Sequence, residues 1–337
     1  MRIQLLLAFA CLIHPAEAKF PDNFAEPLEV IAFGSCNRDE LPQPVWSAVS
    51  TLDPDLWIWG GDNIYADWYQ PGGQRVSYTI DRRWITQRYA AQFKRPDYAA
   101  FREKTPILGT WDDHDYGKNN AVGDYPLKEV SRDLALAFME VPLSDPRWTR
   151  PGLYGSYDFG PVGRRTRIIL LDNRYFATSP KAANRTLLGP AQKAWLATQL
   201  RESSADLHLI VSGSQFIADQ HHWDSWGKYA EERQWLLDLI QEQQSRVIFI
   251  SGDRHIHEIS ILQPGGLPHP ILDVTSSGLT HSWENFPGEE NPYRVGEVYP
   301  GLGFGLIKID WSGQAPRVEL EIRDTKNQVR NQYQVQY

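Results

Sequence analysis

The 337-residue chain has only two cysteines and two methionines, and it has neither a run of basic residues nor an apolar run of bilayer length. So few cysteines exclude a disulfide-rich extracellular scaffold. Without about 20 consecutive apolar residues we expect no transmembrane helix. Lys and Arg number 34 against 42 Asp and Glu, a formal charge of −8, which leaves no electrostatic footprint for binding nucleic acid or an anionic membrane surface.

Residues 1–18 have the pattern of a secretory signal peptide. They combine a positive start, an apolar run from Leu5 to Ile13 and the small-x-small sequence Ala16-Glu17-Ala18. We therefore expect one mature domain over residues 19–337, located in the periplasm or secreted. Lipid attachment at Cys11 is the alternative, but the usual aliphatic residue before the cysteine is missing.

Removal of the signal peptide would leave Cys36 as the only thiol, so no internal disulfide could form. A lone cysteine in an exported protein is either a buried apolar filler or a residue with a chemical task, such as ligating a metal. Composition alone favours the filler.

The many aromatic residues (13 Trp, 15 Tyr and 13 Phe) indicate a folded core. Short apolar runs alternate with amphipathic stretches, which is typical of an α/β domain. The predicted strands cover residues 30–33, 56–59, 106–109, 167–171, 207–211 and 246–250, and a carboxyl-terminal meander covers 304–310, 318–322 and 329–337. The predicted helices cover residues 44–52, 82–94, 127–140, 190–203 and 229–244.

Four of the predicted strands end in polar residues. The four segments are Gly34-Ser35-Cys36-Asn37, Gly60-Gly61-Asp62-Asn63-Ile64-Tyr65, Thr110-Trp111-Asp112-Asp113-His114-Asp115 and Ser251-Gly252-Asp253-Arg254-His255-Ile256-His257-Glu258. Loops at the carboxyl ends of strands converge on one crevice, so these side chains should share a site. Taken singly, each segment has a simpler interpretation, such as an ordinary Gly-Asp turn or a solvated acidic loop.

Together the segments predict two unlike metal positions. Cys36, Asp62 and His255 form a soft-to-borderline set, whereas Asp62, Asp113 and Asp253 form a harder, oxygen-rich set. Two cations sharing Asp62 would suit phosphoester hydrolysis. If residues 253–257 are extended, Asp253, His255 and His257 lie on one side, and Arg254 and Glu258 face elsewhere.

The same segments, in the same order, resemble the alkaline phosphatase D (PhoD-like) branch of the calcineurin-like metallophosphoesterases, and the Trp-Asp-Asp-His-Asp run followed by Asn119-Asn120 is the most specific part. The resemblance implies a four-layer sandwich of two mixed β-sheets flanked by helices. It also implies Fe³⁺ beside Ca²⁺, with Zn²⁺ or Mn²⁺ as alternatives.

The resemblance further implies roles for single residues. Tyr65 would be a phenolate ligand to the ferric ion, and Asp113 and His114 would be catalytic, with His114 stabilising the transition state or protonating the leaving oxygen. Asn119 and Asn120 would bind substrate. His281 would contact the phosphate or the leaving group, or else have a structural role.

One part of the sequence departs from the family pattern. Ser212-Gly213-Ser214-Gln215 offers only an amide where the superfamily carries a histidine ligand. His221-His222-Trp223 would line the pocket mouth or form an exposed loop.

The expected activity is therefore that of an exported, metal-dependent hydrolase of small-molecule or lipid phosphoesters. Monoesters and diesters cannot be told apart from these residues, so a phospholipase D-like phosphodiesterase stays open. A secreted calcium-dependent binding module without catalysis is the rival from another class. It would explain the carboxylates, but not Cys36 or His114.

Overall fold

The computed structural model of the chain describes residues 20–74 and 76–337, so the predicted signal peptide lies outside the described residues. The strands are β1 Val30–Gly34, β2 Leu56–Gly60, β3 Ile107–Thr110, β4 Gly155–Phe159, β5 Thr166–Leu170, β6 Leu207–Val211, β7 Val247–Ser251, β8 His257–Leu262, β9 Ile271–Ser276, β10 Arg294–Tyr299, β11 Gly303–Asp310, β12 Arg317–Asp324 and β13 Val329–Gln336. The helices are α1 Val45–Ser50, α2 Arg82–Phe93, α3 Pro96–Arg102, α4 Asp113–Tyr116, α5 Lys128–Phe138, α6 Gly189–Arg201 and α7 Ala230–Gln243.

The strands form two mixed sheets. In the first, the order is β13-β12-β11-β1-β2-β3, with β1, β2 and β3 parallel and the carboxyl-terminal meander antiparallel. In the second, the order is β10-β8-β9-β7-β6-β5-β4, with a parallel centre of β5, β6, β7 and β9. The predicted carboxyl-terminal meander and the six other predicted strands are confirmed.

The two sheets pack face to face, and helices cover their outer faces. Between the sheets, Ile58 and Leu108 of the first meet Leu209 and Ile250 of the second in one apolar cluster. A second cluster joins the first sheet to α1, α2, α3 and α5, and a third joins the second sheet to α6 and α7. Apolar surfaces on both faces of each sheet explain the continuous apolar strands. The predicted four-layer sandwich is therefore confirmed.

Five helices lie within two residues of the predicted bounds, whereas the short helices α3 and α4 were not predicted. Helix α4 begins after Asp112, whose backbone N–H donates to Asp115 Oδ1 at 2.7 Å. An acid three residues after an Asp N-cap is capping-box spacing. Asp115 also accepts from the Asn63 N–H at 3.1 Å, so this buried carboxylate has a structural task.

The carboxyl ends of β1, β2 and β3 meet those of β7 and β9 at one edge of the sandwich. An isolated parallel bridge between Ser35 and Ser277 joins the two sheets there. Among the helices at residues 20–74 and 76–337, none is long and apolar enough to cross a bilayer.

Candidate active site

The structure brings the first predicted ligand set together at the junction of the two sheets. Cys36 Sγ lies 3.4 Å from Asp62 Oδ2, and the ligand atoms of Cys36, Asp62 and His255 all lie within 4.8 Å of one another. Ser277 supports the set, because its Oγ lies 3.0 Å from Cys36 Sγ and accepts from the His255 N–H at 2.7 Å. One side chain therefore positions ligands from both sheets.

Tyr65 completes this set. Its buried hydroxyl lies 3.1 Å from Asp62 Oδ2 and 3.0 Å from His255 Nε2. His281 Nε2 approaches the same hydroxyl at 3.1 Å. The structure thus places Tyr65 where a phenolate ligand is expected, and places the His281 ring nitrogen against Tyr65.

Two further groups of possible metal ligands lie beside the first set. Asp62, Asp113 and His114 form one, and Asp112, Asp113 and Asp253 form the other, each with ligand atoms within 4.8 Å of one another. The three groups are linked in series through Asp62 and then Asp113. Asp112 had not been predicted as a ligand, since in the sequence it is one acid within an acidic run.

Four of the predicted ligands have left-handed backbone conformations. The φ angles are 61° at Cys36, 51° at Asp62, 68° at Asp253 and 54° at His255. Non-glycine residues rarely adopt such angles, and those that do concentrate at functional sites. The prediction that residues 253–257 form an extended segment is wrong, because the tight turn, and not strand alternation, aims Asp253 and His255 inward.

This turn also changes the expected positions of two neighbours. Arg254 was expected to face elsewhere, yet it lines the cleft beside Asp253 and His255. His257 instead begins β8, where it is buried with Nε2 3.1 Å from the Gly301 carbonyl oxygen. His257 is therefore a structural residue.

Each of the three ligand groups contributes one residue (His255, His114 or Asp253) to the lining of a cleft of about 300 Å³. It is lined by His114, Asn119, Asn120, His222, Trp223, Asp224, Asp253, Arg254, His255 and Trp283. Asn119 and Asn120 thus lie where substrate contacts were predicted. His222 and Trp223 are exposed and line the cleft, whereas His221 is not among the lining residues.

His114 is held by a residue that the sequence analysis missed. Its Nδ1 lies 2.5 Å from Asp67 Oδ1, and Asp67 Oδ2 accepts from the Asn119 N–H at 2.7 Å. Burial alone would lower the pKa of His114, but the carboxylates of Asp113, Asp62 and Asp67 raise it to about 10. The imidazole ring is therefore positioned and positively charged at neutral pH.

Burial disfavours the ionised form of most of the buried acids. Burial raises the pKa of Cys36, Asp62 and Asp253 well above their usual values, and like charges nearby add to the effect. Asp113 differs, because Arg174 and His114 overcome the effect of burial and lower its pKa. Positive charge is what these side chains need in order to ionise.

Arg174 supplies part of that charge from the second sheet. Its Nε lies 2.5 Å from Asp112 Oδ1, and its Nη1 lies 3.0 Å from Asp224 Oδ2. Within the described residues, Asp112 Oδ2 and Asp113 Oδ1 are buried without a hydrogen-bond partner. Arg174 Nη2 lies 4.0 Å from Asp113 Oδ1, so the arginine neutralises one edge of the acidic group without a hydrogen bond to either of these two oxygens.

With this geometry in place, comparison with known proteins shows the family. A profile of PhoD-like phosphatases matches residues 31–285. The chain belongs to the PhoD-like phosphatase family. Alkaline phosphatase D of Bacillus subtilis (strain 168) is 24% identical over 299 residues, which cover 75% of this chain and 49% of that protein. The chain thus spans about half the length of this curated relative.

Solved structures agree on the fold. The structure of PhoD superposes with a TM-score of 0.73 at 19% identity, covering 92% of this chain and 69% of that one. GAP50, described as the anchor in the inner membrane complex of Plasmodium, superposes with a TM-score of 0.57 at 14% identity, covering 92% and 89%. The predicted family and sandwich are both confirmed.

The Ser212–Gln215 segment after β6 carries no histidine, and the Asp112 side chain lies against it. A Cβ at Gly213 would lie 2.6 Å from the Asp112 carboxylate, so the Asp112 side chain occupies the space next to that backbone. Gln215 is turned away and donates to Glu258 Oε1 at 2.6 Å. Asp112 therefore supplies oxygen to this edge of the site.

The donor set of this PhoD-like family member suits two kinds of cation. A thiol, an imidazole and a phenol around Asp62 suit a borderline or trivalent transition metal, whereas Asp112, Asp113 and Asp253 offer only oxygen, as Ca²⁺ prefers. Buried carboxylate oxygens without partners are costly unless a cation satisfies them. The residues thus fit metal binding.

Proposed function

We propose that the chain is an exported, metal-dependent phosphoester hydrolase. The observation that supports it most is the series of three ligand groups sharing Asp62 and Asp113, which opens onto the cleft beside a charged imidazole. Cys36, Asp62, Tyr65 and His255 would hold Fe³⁺, and Asp112, Asp113 and Asp253 would hold Ca²⁺. When bound, the cations supply Lewis-acid activation of water and of the phosphoryl oxygens.

His114 is the proposed general acid and electrostatic stabiliser. It lines the cleft, and the 2.5 Å contact with Asp67 fixes its Nδ1 and leaves Nε2 as the donor toward the substrate. A positioned imidazolium can protonate the leaving oxygen and oppose negative charge that develops there.

Asn119 and Asn120 are the proposed phosphate-binding residues. Their backbone N–H groups are already used, by Asp67 Oδ2 at 2.7 Å and by Asp113 Oδ2 at 2.5 Å. Because these bonds fix the loop, the side-chain amides are left to the cleft. His281 is proposed to act through Tyr65, whose hydroxyl it contacts, and not on the substrate itself.

Metal reconstitution tests the proposed activity. The purified protein is dialysed against chelator and reloaded with iron, calcium, zinc or manganese, singly and in pairs, and hydrolysis of mono- and bis-p-nitrophenyl phosphate is followed. We expect the highest rate with iron and calcium together, and the ratio of the two rates to separate monoesterase from diesterase. Metal binding without hydrolysis under any condition would favour a binding module instead.

Variants of Asp62 and Tyr65 connect the activity to the site. D62A should lose both metal, measured by elemental analysis, and hydrolysis, whereas D97A, which removes an exposed acid on α3, should lose neither. If the ferric ion is bound by Tyr65, Y65F should bleach the visible charge-transfer absorption of the iron-loaded protein. Normal turnover by D62A would contradict the shared-ligand assignment.

Export is proposed from residues 1–18. Expression of the full chain in a bacterium, followed by fractionation and amino-terminal sequencing, should give a periplasmic or secreted protein that begins at Lys19. Retention in the cytoplasm with Met1 intact would contradict this part of the proposal.

A further inference from the structure

One wall of the cleft is made of two tryptophans, which we call the indole ledge (Trp223 and Trp283). Their ring centroids lie 5.7 Å apart with the planes at 83°. Trp223 is 42% exposed although it is a large apolar side chain. Of the described residues that line the cleft, these two are the only apolar ones, so the ledge is a local apolar surface in a polar cleft.

The ledge is fixed next to the proposed metal ligands. The Trp283 backbone N–H donates to the His255 carbonyl oxygen at 2.7 Å, and the Trp223 indole N–H donates to Glu289 Oε1 at 2.8 Å. The other oxygen of Glu289 binds Arg254 Nη2 at 2.5 Å. One carboxylate thus links Trp223 to the turn that carries Asp253 and His255.

Arg254 adds charge behind the ledge. Its guanidinium lies 5.6 Å from the Trp223 ring centroid, within range of a cation–π interaction. The contact and the shared Glu289 hold Trp223 in place, although the residue is 42% exposed, and the His222 ring centroid lies 4.4 Å from that of Trp223. A rigid, exposed indole face can stack on a flat ligand at little entropic cost.

We propose that the indole ledge binds the organic part of the substrate, and that this part is a planar aromatic or heteroaromatic ring, as in an aryl or nucleoside phosphate. The inference depends on the proposed phosphoester hydrolysis, because a phosphoryl group at the acids directs the rest of the ester along the cleft. A lipid acyl chain would need a groove of aliphatic side chains, whereas the described lining has indoles and polar groups. Glu289 is a positioning residue for Trp223.

Two matched substrate pairs test the proposal in the metal-loaded full chain. Benzyl phosphate and cyclohexylmethyl phosphate have similar alcohol leaving groups but differ in planarity, and adenosine 5′-phosphate and ribose 5-phosphate differ in the base. Stacking on an aromatic side chain favours binding by roughly tenfold or more. We therefore expect kcat/KM to be at least about tenfold higher for the aromatic member of at least one pair, mainly through a lower KM.

Variants assign the preference to the ledge. W223A should remove most of the preference for aromatic substrates by lowering their kcat/KM, while the kcat/KM of the cyclohexylmethyl ester changes less than about threefold. W223F, which keeps an aromatic ring, should restore most of the preference. E289A should resemble W223A, whereas E289Q should be milder because an amide oxygen still accepts from the indole. As a readout without turnover, benzylphosphonate should quench tryptophan fluorescence in the wild type more than in W223F.

The outcomes separate the ledge from the activity itself. No hydrolysis of any ester after reconstitution overturns the proposed function. Hydrolysis with equal kcat/KM within each pair, an equal loss for both members in W223A, or preference for a long-chain alkyl phosphate overturns the ledge proposal alone. Preference for the adenosine ester without preference for the benzyl ester restricts the ring to a nucleobase and supports the proposal.

Discussion

Replacement of Asp67 by asparagine should shift the pH dependence of the reaction through His114. Asp67 Oδ1 lies 2.5 Å from His114 Nδ1, and both side chains are only 12% exposed. A hydrogen bond to a charged group contributes about 1.5–3 kcal/mol, and one pKa unit corresponds to about 1.4 kcal/mol. The pKa of His114 should therefore fall by about one to two units from about 10.

The assay is the pH profile of kcat/KM with a p-nitrophenyl ester. In D67N the alkaline limb should move toward neutral pH by one to two units, because the neutral amide no longer favours the protonated ring. The asparagine oxygen can still accept from the Asn119 N–H, which keeps the loop in place. D124N, which removes an exposed acid from the same loop, is the control.

The reasoning is refuted if the alkaline limb of D67N coincides with that of the wild type. A fall in kcat at every pH without a shift would mean that Asp67 orients the ring but does not set its charge. The ring protons of His114, followed by NMR in the metal-free protein, provide a direct reading of the same pKa.

Three further predictions concern stability. R174M should lower the free energy of unfolding by about 3–5 kcal/mol in the metal-free protein, because Asp112 loses its buried partner; urea denaturation with and without calcium measures this and should show partial rescue by the ion. Burial lowers the pKa of His208 to about 4, so as the pH falls below 6.5 the unfolded chain takes up a proton that the folded protein does not. The free energy of unfolding should therefore fall between pH 6.5 and 4, by about 2 kcal/mol at pH 5. In H208Q, urea denaturation should show a weaker dependence on pH over this range. G61A should destabilise by more than about 1 kcal/mol, since φ is 101° and a Cβ would lie 2.7 Å from Asp112 Cβ; an unchanged melting temperature would contradict this.

Most of the strands and helices could be predicted because each is marked by a local pattern of apolar residues. Six apolar runs indicated strands buried on both faces, and five amphipathic stretches indicated helices close to their observed bounds. Strands β4, β8, β9 and β10 were not predicted. β4 and β10 are mostly half-buried, β8 carries His257 and Glu258 in its first half, and Asp273 interrupts the apolar residues of β9. The sandwich of two sheets came from the family resemblance.

The ligands were predictable because each follows a strand, but their supporting residues were not. Arg174 meets Asp112 across 62 residues of sequence, and Ser277 meets Cys36 across 241. No spacing rule reveals such pairs. Asp67 could have been suspected, since it lies five residues after Asp62 in the same loop, whereas the orientation of Arg254 depends on left-handed turns that the sequence does not show.

The division of the ligands between the two sheets couples cation binding to sheet docking. Cys36 and Asp62 follow strands of the first sheet and His255 follows a strand of the second, with Ser277 bonded to residues of both. An isolated sheet could offer only part of the coordination sphere, so tight binding requires the completed sandwich. By mass action the bound ion should then stabilise the packing of the two sheets against each other, and chelation should weaken that packing.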